Sequence, residues 1–555
     1  MSNRFWIRFM VLMLAVTFVE TGRAAELISN AFADNMVFQQ SKPIRVWGST
    51  GQGQAVKVTL GSDSQTVAAK SDGYWIAEFK PRTAGFEALT LTVESNGQSK
   101  SLKNILIGEV WLCGGQSNMA PAGHHNDDVE WVSADSEFVR YTRVESHIAH
   151  EPQKDLKSRS AWMPLVAGKM ELRRIGPVPY YFGVRLQRVL KVPVGIINTA
   201  VGGTTAEVWA SRRTQEQHPQ LKDLLKERGK DIGAFFNGTV VPLSKFSVRG
   251  FLFYQGENNT FDGYETYAYS FPAVIHDWRA AFGDTTLPFG IISLAGNKGM
   301  SRLPNPEAEM THRHGYAHIR DVQFNTFRAT QNTGLIAIHD LGADDMHPGR
   351  KRDVGERAAR WALAQAHGYA DKPWGKGGIY HTAPVYREMK TDGDRVLLYF
   401  DYDPTIDDKR PHKWYKRLPL PDRAREYRGF LIGGKNRQFF PAQVKVRAVK
   451  EGDIRNECLE VWSKHVPEPV AVRYAWASQP NANAYGLRGL PVAPFRTDNW
   501  PFIRALPKWA SDLKQREAEN KVFIELNRQW ERDRKVKEAV QALRDLGIEI
   551  TVPEP

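Results

Sequence analysis

Between about Asn104 and Gly368, short apolar runs alternate with longer segments of helical periodicity, and this alternation restricts the fold more than any other feature of the chain. "VPVGIINTA" and "VRGFLFYQG" read as buried strands. "PYYFGVRLQRVL" and "RKRDVGERAARWALAQAHG" read as helices, the second closed by Gly368. Strands that take turns with helices imply an α/β domain with a mostly parallel sheet. One strand of this region ends in an unusual way, in "GEVWLCGGQSNMAP", Gly108 to Pro121. The apolar Val110-Trp111-Leu112 gives way to two glycines, an amide, Ser117 and a second amide. Such a strand presents a small polar side chain at the edge of its sheet.

The flanks follow a different period. From about Leu27 to Leu102, "IRVWGST", "AVKVTLG", "GYWIAEF" and "ALTLTVES" alternate apolar and polar residues, which predicts a small β-sandwich. From about Lys376 to Trp500, "DRVLLYFDY", "FLIGG", "AQVKVRAV" and "VAVRYAW" are again strand-like. Beyond Pro507, Trp509, Leu513, Val522, Leu526 and Trp530 recur near helical spacing among charges and predict an amphipathic helical tail. A chain of 555 residues exceeds one typical core. The expected division is a leader at 1–25, a β-sandwich at 26–103, an α/β domain at 104–375, a β-rich region at 376–505 and a helical tail at 506–555.

The leader has a chemical signature. Arg4 and Arg8 precede the apolar run Phe9 to Val19, and small residues follow at Ala24 and Ala25, as in a cleavable secretory signal. The expected location is therefore secreted or periplasmic. No later stretch is long and apolar enough to cross a bilayer. The net charge of +13 is spread along the chain, without zinc-finger spacing or a recognised nucleic-acid module, so nucleic acid is not an expected partner. Two cysteines, Cys113 and Cys458, allow at most one disulfide, and both read as free.

Chemistry concentrates in four stretches of the α/β region. The first holds Ser117, a weak nucleophile until a base takes its proton. The second, "NTAVGGTTAEVW", follows a strand, so Gly202 and Gly203 sit where open α/β sheets bind ligands. Glycine there lets a backbone N–H approach a reacting oxygen, with Gly203 the first candidate. The third, "YQGENN", offers Gln255 or Asn258 as a side-chain amide for an oxyanion. The fourth, "GADDMHPGRKRDVGERAARWAL", sets Asp344 and Asp345 just before His347, a pattern for a general base and the carboxylate that orients it. Ser117 and His347 meet only if both loops lie on one edge of the sheet. The histidines His312, His314 and His318 fit no single regular face and lack a carboxylate-His motif, so no metal or other cofactor is expected.

"GEVWLCGGQSNM", "GIINTAVGGTTAEVW", "FNGTVVPLSKFSVRGFLFYQGENN" and "DDMHPGRKRDVGERAA" resemble the sialate O-acetylesterase family of SGNH/GDSL hydrolases. The likeness reaches from Leu27 to Trp500. It implies an SGNH-type, flavodoxin-like hydrolase domain with flanking β-regions, acting on acetylated carbohydrate without a cofactor. It also implies Ser117 as nucleophile, His347 as base, and an oxyanion hole from the N–H groups of Ser117 and Gly203 plus a side-chain amide. Asp344 is preferred over Asp345 for orienting the histidine, because the superfamily's last block resembles Asp-x-x-His. Two positions depart from the family: Asn258 stands where a small residue is common, and Phe253 replaces a usual tryptophan and is expected to alter the cleft wall. The serine is not set in G-x-S-x-G, which disfavours an ordinary lipase. An acetyl esterase of plant or algal polysaccharide and a non-catalytic carbohydrate-binding protein are the competing readings. Arg173-Arg174 is the place to look for recognition of a sialate carboxylate.

Overall fold

The computed structural model describes residues 26–121, 137–168, 174–261, 264–298, 315–370, 378–401, 419–421, 426–451, 454–486 and 489–500. The expected leader and helical tail lie outside these residues. So do Arg173, His312 and His314.

A single strand, Gln98–Gly115, organises the molecule. Its first half is polar and mostly exposed and pairs antiparallel with Gly85–Ser95. The N-terminal sheet is completed by Ala55–Leu60 and Asp63–Ala68, with Val37–Gln39 running parallel to the middle of the long strand. Ile44–Ser49 and Tyr74–Phe79 form a separate two-stranded ribbon. From Ile105 onward the long strand is fully buried and, Glu109 apart, without polar side chains, as suits a strand covered on both faces. There it is the centre of a parallel sheet, flanked by Val194–Asn198 on one side and Gly250–Tyr254 on the other. Phe289–Ile292 and Thr333–Ile336 continue the sheet beyond Gly250–Tyr254. These five strands run in the order 2-1-3-4-5, that of a flavodoxin-like sheet. Val139–Arg143, parallel, and Trp162–Pro164, antiparallel, extend the other edge. The N-terminal and central sheets thus share one strand and one core, which runs without a break from Ile28 to Leu363.

Tryptophans seal both faces of the parallel sheet. On one face the helices Pro177–Leu190 and Lys351–Ala366 pack together, and Trp361 lies against the strand backbones, edge-on to Trp111. A Cβ at Gly334 would fall 1.8 Å from its Nε1, so bare strand backbone is what makes room for the indole. On the other face Trp278, from the helix Tyr264–Ala281, meets Phe251, Phe253 and Phe289 edge to face or tilted. Phe253 is buried in this aromatic layer, beneath the sheet, so it does not form a cleft wall as expected. The alternation of a strand decides this: Phe253 points the opposite way from its neighbours Leu252 and Tyr254.

Two further antiparallel sheets follow. Val385–Asp392, Arg395–Asp401, Ile454–Trp462 and Gln443–Glu451 form one, and Phe439–Pro441, Phe430–Gly434, Pro469–Tyr474 and Phe495–Arg496 the other. They have their own core, in which Tyr386 stacks on Phe495. Arg320, fully buried on the helix Gly315–Ala329, ties this region to the α/β core. Its guanidinium donates to the carbonyls of Leu294 and Ala295 on one side and of Ala477 and Ser478 on the other. Cys113 and Cys458 are both free and buried. No helix among the described residues is long and apolar enough to cross a membrane.

Candidate active site

The central strand ends at Gly115, whose φ of +123° is open only to glycine, and a Cβ there would lie 2.0 Å from the Tyr254 carbonyl oxygen. The next residue, Gln116, donates its N–H to that same oxygen. A tight turn follows, held by the N–H groups of Met119 and Ala120 on the Gln116 carbonyl. The result is selective exposure. From Ile105 to Pro121 every residue is buried except Ser117. This strand lies between its second and third neighbours in the 2-1-3 order, so Ser117 stands in the crevice at the carboxyl ends of the strands.

His347 reaches the same crevice from the loop that follows the edge strand Thr333–Ile336. Its Nε2 is 2.9 Å from Ser117 Oγ, across 230 residues of sequence. This is hydrogen-bonding distance between a hydroxyl and a base. The two carboxylates before it part company. Asp345 Oδ1 accepts the backbone N–H of His347 at 2.6 Å. Asp344 is 90% exposed and faces Lys298 Nζ at 3.2 Å. Asp345 thus holds the backbone of the histidine, while Asp344, the residue preferred from the sequence, faces Lys298. Residue spacing does not report which way a loop side chain turns.

The glycine turn lies over the serine. A Cβ on Gly202 would meet Ser117 Cβ at 3.6 Å, and Gly203 has a φ of +72° and is exposed. The Val201 N–H donates to the Gly115 carbonyl, which pins this turn to the end of the central strand. The two candidate amides are also told apart. Gln255 is buried, and its Nε2 donates to Thr204 O at 3.1 Å, Asn259 Oδ1 at 2.7 Å and Gln116 Oε1 at 3.3 Å. An amide with its N–H groups so committed has none to offer a substrate. Asn258 is half-buried, and its Nδ2 donates once, to Gly203 O at 2.9 Å. Its second N–H has no acceptor among the described residues.

Sequence reasoning missed the residues that hold these loops. Asn259 is buried, donating to both Glu207 carboxylate oxygens and accepting the Ala206 N–H at 2.9 Å. Asn118, next to the serine, is fully engaged with Glu257, Met346 and Lys351. The only signal was the density of amides in "GGQSNM" and "YQGENN". His318 is buried on its helix, edge-on to Trp476. Among the described residues no cluster of three or more His, Cys, Asp or Glu is placed to hold a metal ion. Arg174 is exposed.

A parallel sheet carrying a serine within hydrogen-bonding distance of a histidine, beside a glycine turn at its carboxyl edge, has the parts that a serine hydrolase needs. The family model for carbohydrate esterase, sialic acid-specific acetylesterase, matches residues 107–363. A carbohydrate acetylesterase from Xanthomonas citri of known crystal structure is 31% identical, with a TM-score of 0.70, over 85% of this chain and 99% of that one. The sialate O-acetylesterase of Mus musculus is 23% identical over 510 residues, 81% of this chain and 89% of the relative. That of Homo sapiens is 26% identical over 372 residues, 61% of this chain and 71% of the relative. The chain belongs to the sialate O-acetylesterase family of carbohydrate esterases.

Proposed function

We propose that this protein is a secreted carbohydrate O-acetylesterase of the sialate O-acetylesterase type, working through an acetyl-enzyme on Ser117. The observation that carries the reading is the 2.9 Å approach of Ser117 Oγ to His347 Nε2 at the carboxyl edge of the sheet. The same contact argues against a non-catalytic binding protein, which has no use for a serine paired with a histidine.

The chemistry follows from the placement. Ser117 Oγ attacks the acetyl carbonyl carbon while His347 Nε2 takes its proton. Asp345 holds the base's loop through the backbone N–H. The carbonyl oxygen becomes an oxyanion within reach of the Ser117 and Gly203 N–H groups and the second N–H of Asn258. His347 then returns the proton to the departing sugar oxygen. Water, deprotonated by His347, attacks the acetyl ester, and acetate leaves as Ser117 recovers its proton. No step calls for a metal or an organic cofactor. Secretion rests on the basic, apolar and small-residue sequence of the first 25 residues.

Acetylated plant or algal polysaccharide is the second reading: the 31% identical relative from Xanthomonas citri is described as a carbohydrate acetylesterase with no sugar named, and the sialate enzymes are 23% and 26% identical. Acetate release from O-acetylated sialic acid and from acetylated xylan, compared as kcat/KM, tests the choice. The sialate reading predicts a preference of at least an order of magnitude for the sialic acid. A preference for xylan overturns it and leaves the esterase chemistry intact.

A further inference from the structure

The side chain of Asn118 connects three loops and one helix. Its Nδ2 donates to Glu257 Oε1, in the loop that carries Asn258, and to the Met346 carbonyl at 2.8 Å, one residue before His347. Its Oδ1 accepts from Lys351 Nζ, in the first turn of the helix Lys351–Ala366. All three side chains are buried, each with a relative exposure of 2%. An asparagine amide has two N–H groups and one carbonyl, and both kinds are in use here. The amide thereby stands between a buried ammonium and a buried carboxylate, accepting from one and donating to the other. Burial pushes Lys351 down to about 7, against the pull of Glu257 and Asp345. Burial likewise raises Glu257, against its bond to Asn118 and the field of Lys351. Glu257 Oε2 has no hydrogen-bond partner among the described residues. The charges therefore depend on each other through the one amide between them.

We propose that Asn118 is a positioning residue that sets nucleophile, oxyanion donor and base in register, with the buried Lys351 and Glu257 as the two ends of its clamp. This rests on the reading of Ser117 as nucleophile and adds to it. Ser117 is fixed through its chain neighbour, Asn258 through Glu257, and His347 through Met346. A small displacement of any of the three is expensive in rate, because the reacting atoms must be held within a few tenths of an ångström. The clamp touches no substrate, so its loss is expected in kcat rather than in KM.

The test uses the full chain with an aryl acetate, and follows kcat, KM and the rate at which an aryl phosphonate labels the protein. Asn118→Ala is expected to lower kcat about a hundred-fold and to slow labelling in parallel, with KM within about twofold of the parent. Asn118→Asp keeps the acceptor but loses both donations and sets a second carboxylate beside Glu257, so it is expected to fare no better. Near-ultraviolet circular dichroism and a cooperative thermal transition report that each variant is folded. Should Asn118→Ala fail to fold, the charge pair supplies the second arm. Lys351→Met and Glu257→Gln each strand one buried charge. The double variant removes both and is expected to retain more kcat than the product of the two single effects. Strictly multiplicative effects, or an unchanged kcat in a folded Asn118→Ala, overturn the clamp. Ser117→Ala, run alongside, separates the two claims. If it retains parental activity the nucleophile reading fails; if it is inactive while Asn118→Ala is fully active, only the clamp fails.

Discussion

Replacing Asn258 by alanine removes a side-chain amide that borders the glycine turn and commits one N–H to it. Its Nδ2 lies 2.9 Å from Gly203 O and uses a single hydrogen there. The second hydrogen is the proposed donor to the oxyanion, and a donor of this kind is worth about 10²–10³ in kcat, or about 2.7–4 kcal/mol. The tie to Gly203 is lost as well, at a net cost of about 0.5–1.5 kcal/mol for a typical hydrogen bond, and it loosens the second proposed donor. The expected loss is therefore near the upper end of the thousand-fold range. Asn258 is half-buried, and the turn it closes uses its backbone carbonyl, so the stability cost should not exceed that of the one lost bond, about 0.5–1.5 kcal/mol. The assay is kcat and KM on a small aryl acetate together with a thermal unfolding curve. Gln255→Ala is the contrast: it empties a buried site that satisfies three acceptors, and its first consequence is a lower Tm. If Asn258→Ala keeps kcat within about tenfold of the parent while remaining folded, the oxyanion assignment is wrong.

Two more outcomes follow from the body of the protein. Glu109 is 1% exposed and held by Arg249 at 2.8 and 2.9 Å, with Gln39 and Gln40 donating to the same carboxylate. Burial alone raises its pKa, but the Arg249 bond and charge, with His367 and Gln40, outweigh this and hold it below the usual carboxylate value. The stability it contributes is thus present above its unfolded pKa and is lost as pH falls through the lower folded one. Arg249→Met leaves the carboxylate buried and unpaired, at an expected cost of about 3–5 kcal/mol near neutral pH. That deficit should shrink in acid, where protonation removes the stranded charge; urea titrations at the two pH values measure it, and an equal deficit at both contradicts the account. Gly334→Ala drives a methyl into the Trp361 indole and is expected to cost about 1–3 kcal/mol or more without moving the active-site loops, read as a lower Tm with KM unchanged.

Much of this arrangement is written locally. The period of the apolar residues discloses the parallel sheet, and Gly115, Gly203 and the Pro348-Gly349 turn mark where the strands give way to reactive loops. Ser117 and His347 are readable because the roles proposed for them need particular residue types in turns at the ends of strands. What escapes is whatever depends on side-chain direction or on long closure. Asp344 and Asp345 are adjacent in sequence, and only the loop's path decides that one meets Lys298 and the other the His347 N–H. Phe253, standing where the family usually has tryptophan, is expected to alter the cleft wall, yet strand alternation turns it into the Trp278 layer. Asn118, Glu257 and Lys351 come from three distant segments, and nothing in any one of them announces that an amide will sit between two buried charges. The long strand Gln98–Gly115 likewise changes character partway, from polar and mostly exposed to fully buried, where it passes from one sheet into the other.

The central claim is that Ser117 carries the acetyl group. Mixing the protein with an excess of aryl acetate, quenching in acid within a few turnovers and mapping the peptide from Gly108 to Pro121 by mass spectrometry tests it directly. The account predicts an acetyl group on Ser117 in the parent chain, accumulating further when His347 is replaced by a residue that cannot activate water, and neither acetyl-peptide nor acetate release from Ser117→Ala. Sustained acetate release by Ser117→Ala, or an acetyl group trapped on another residue, contradicts it.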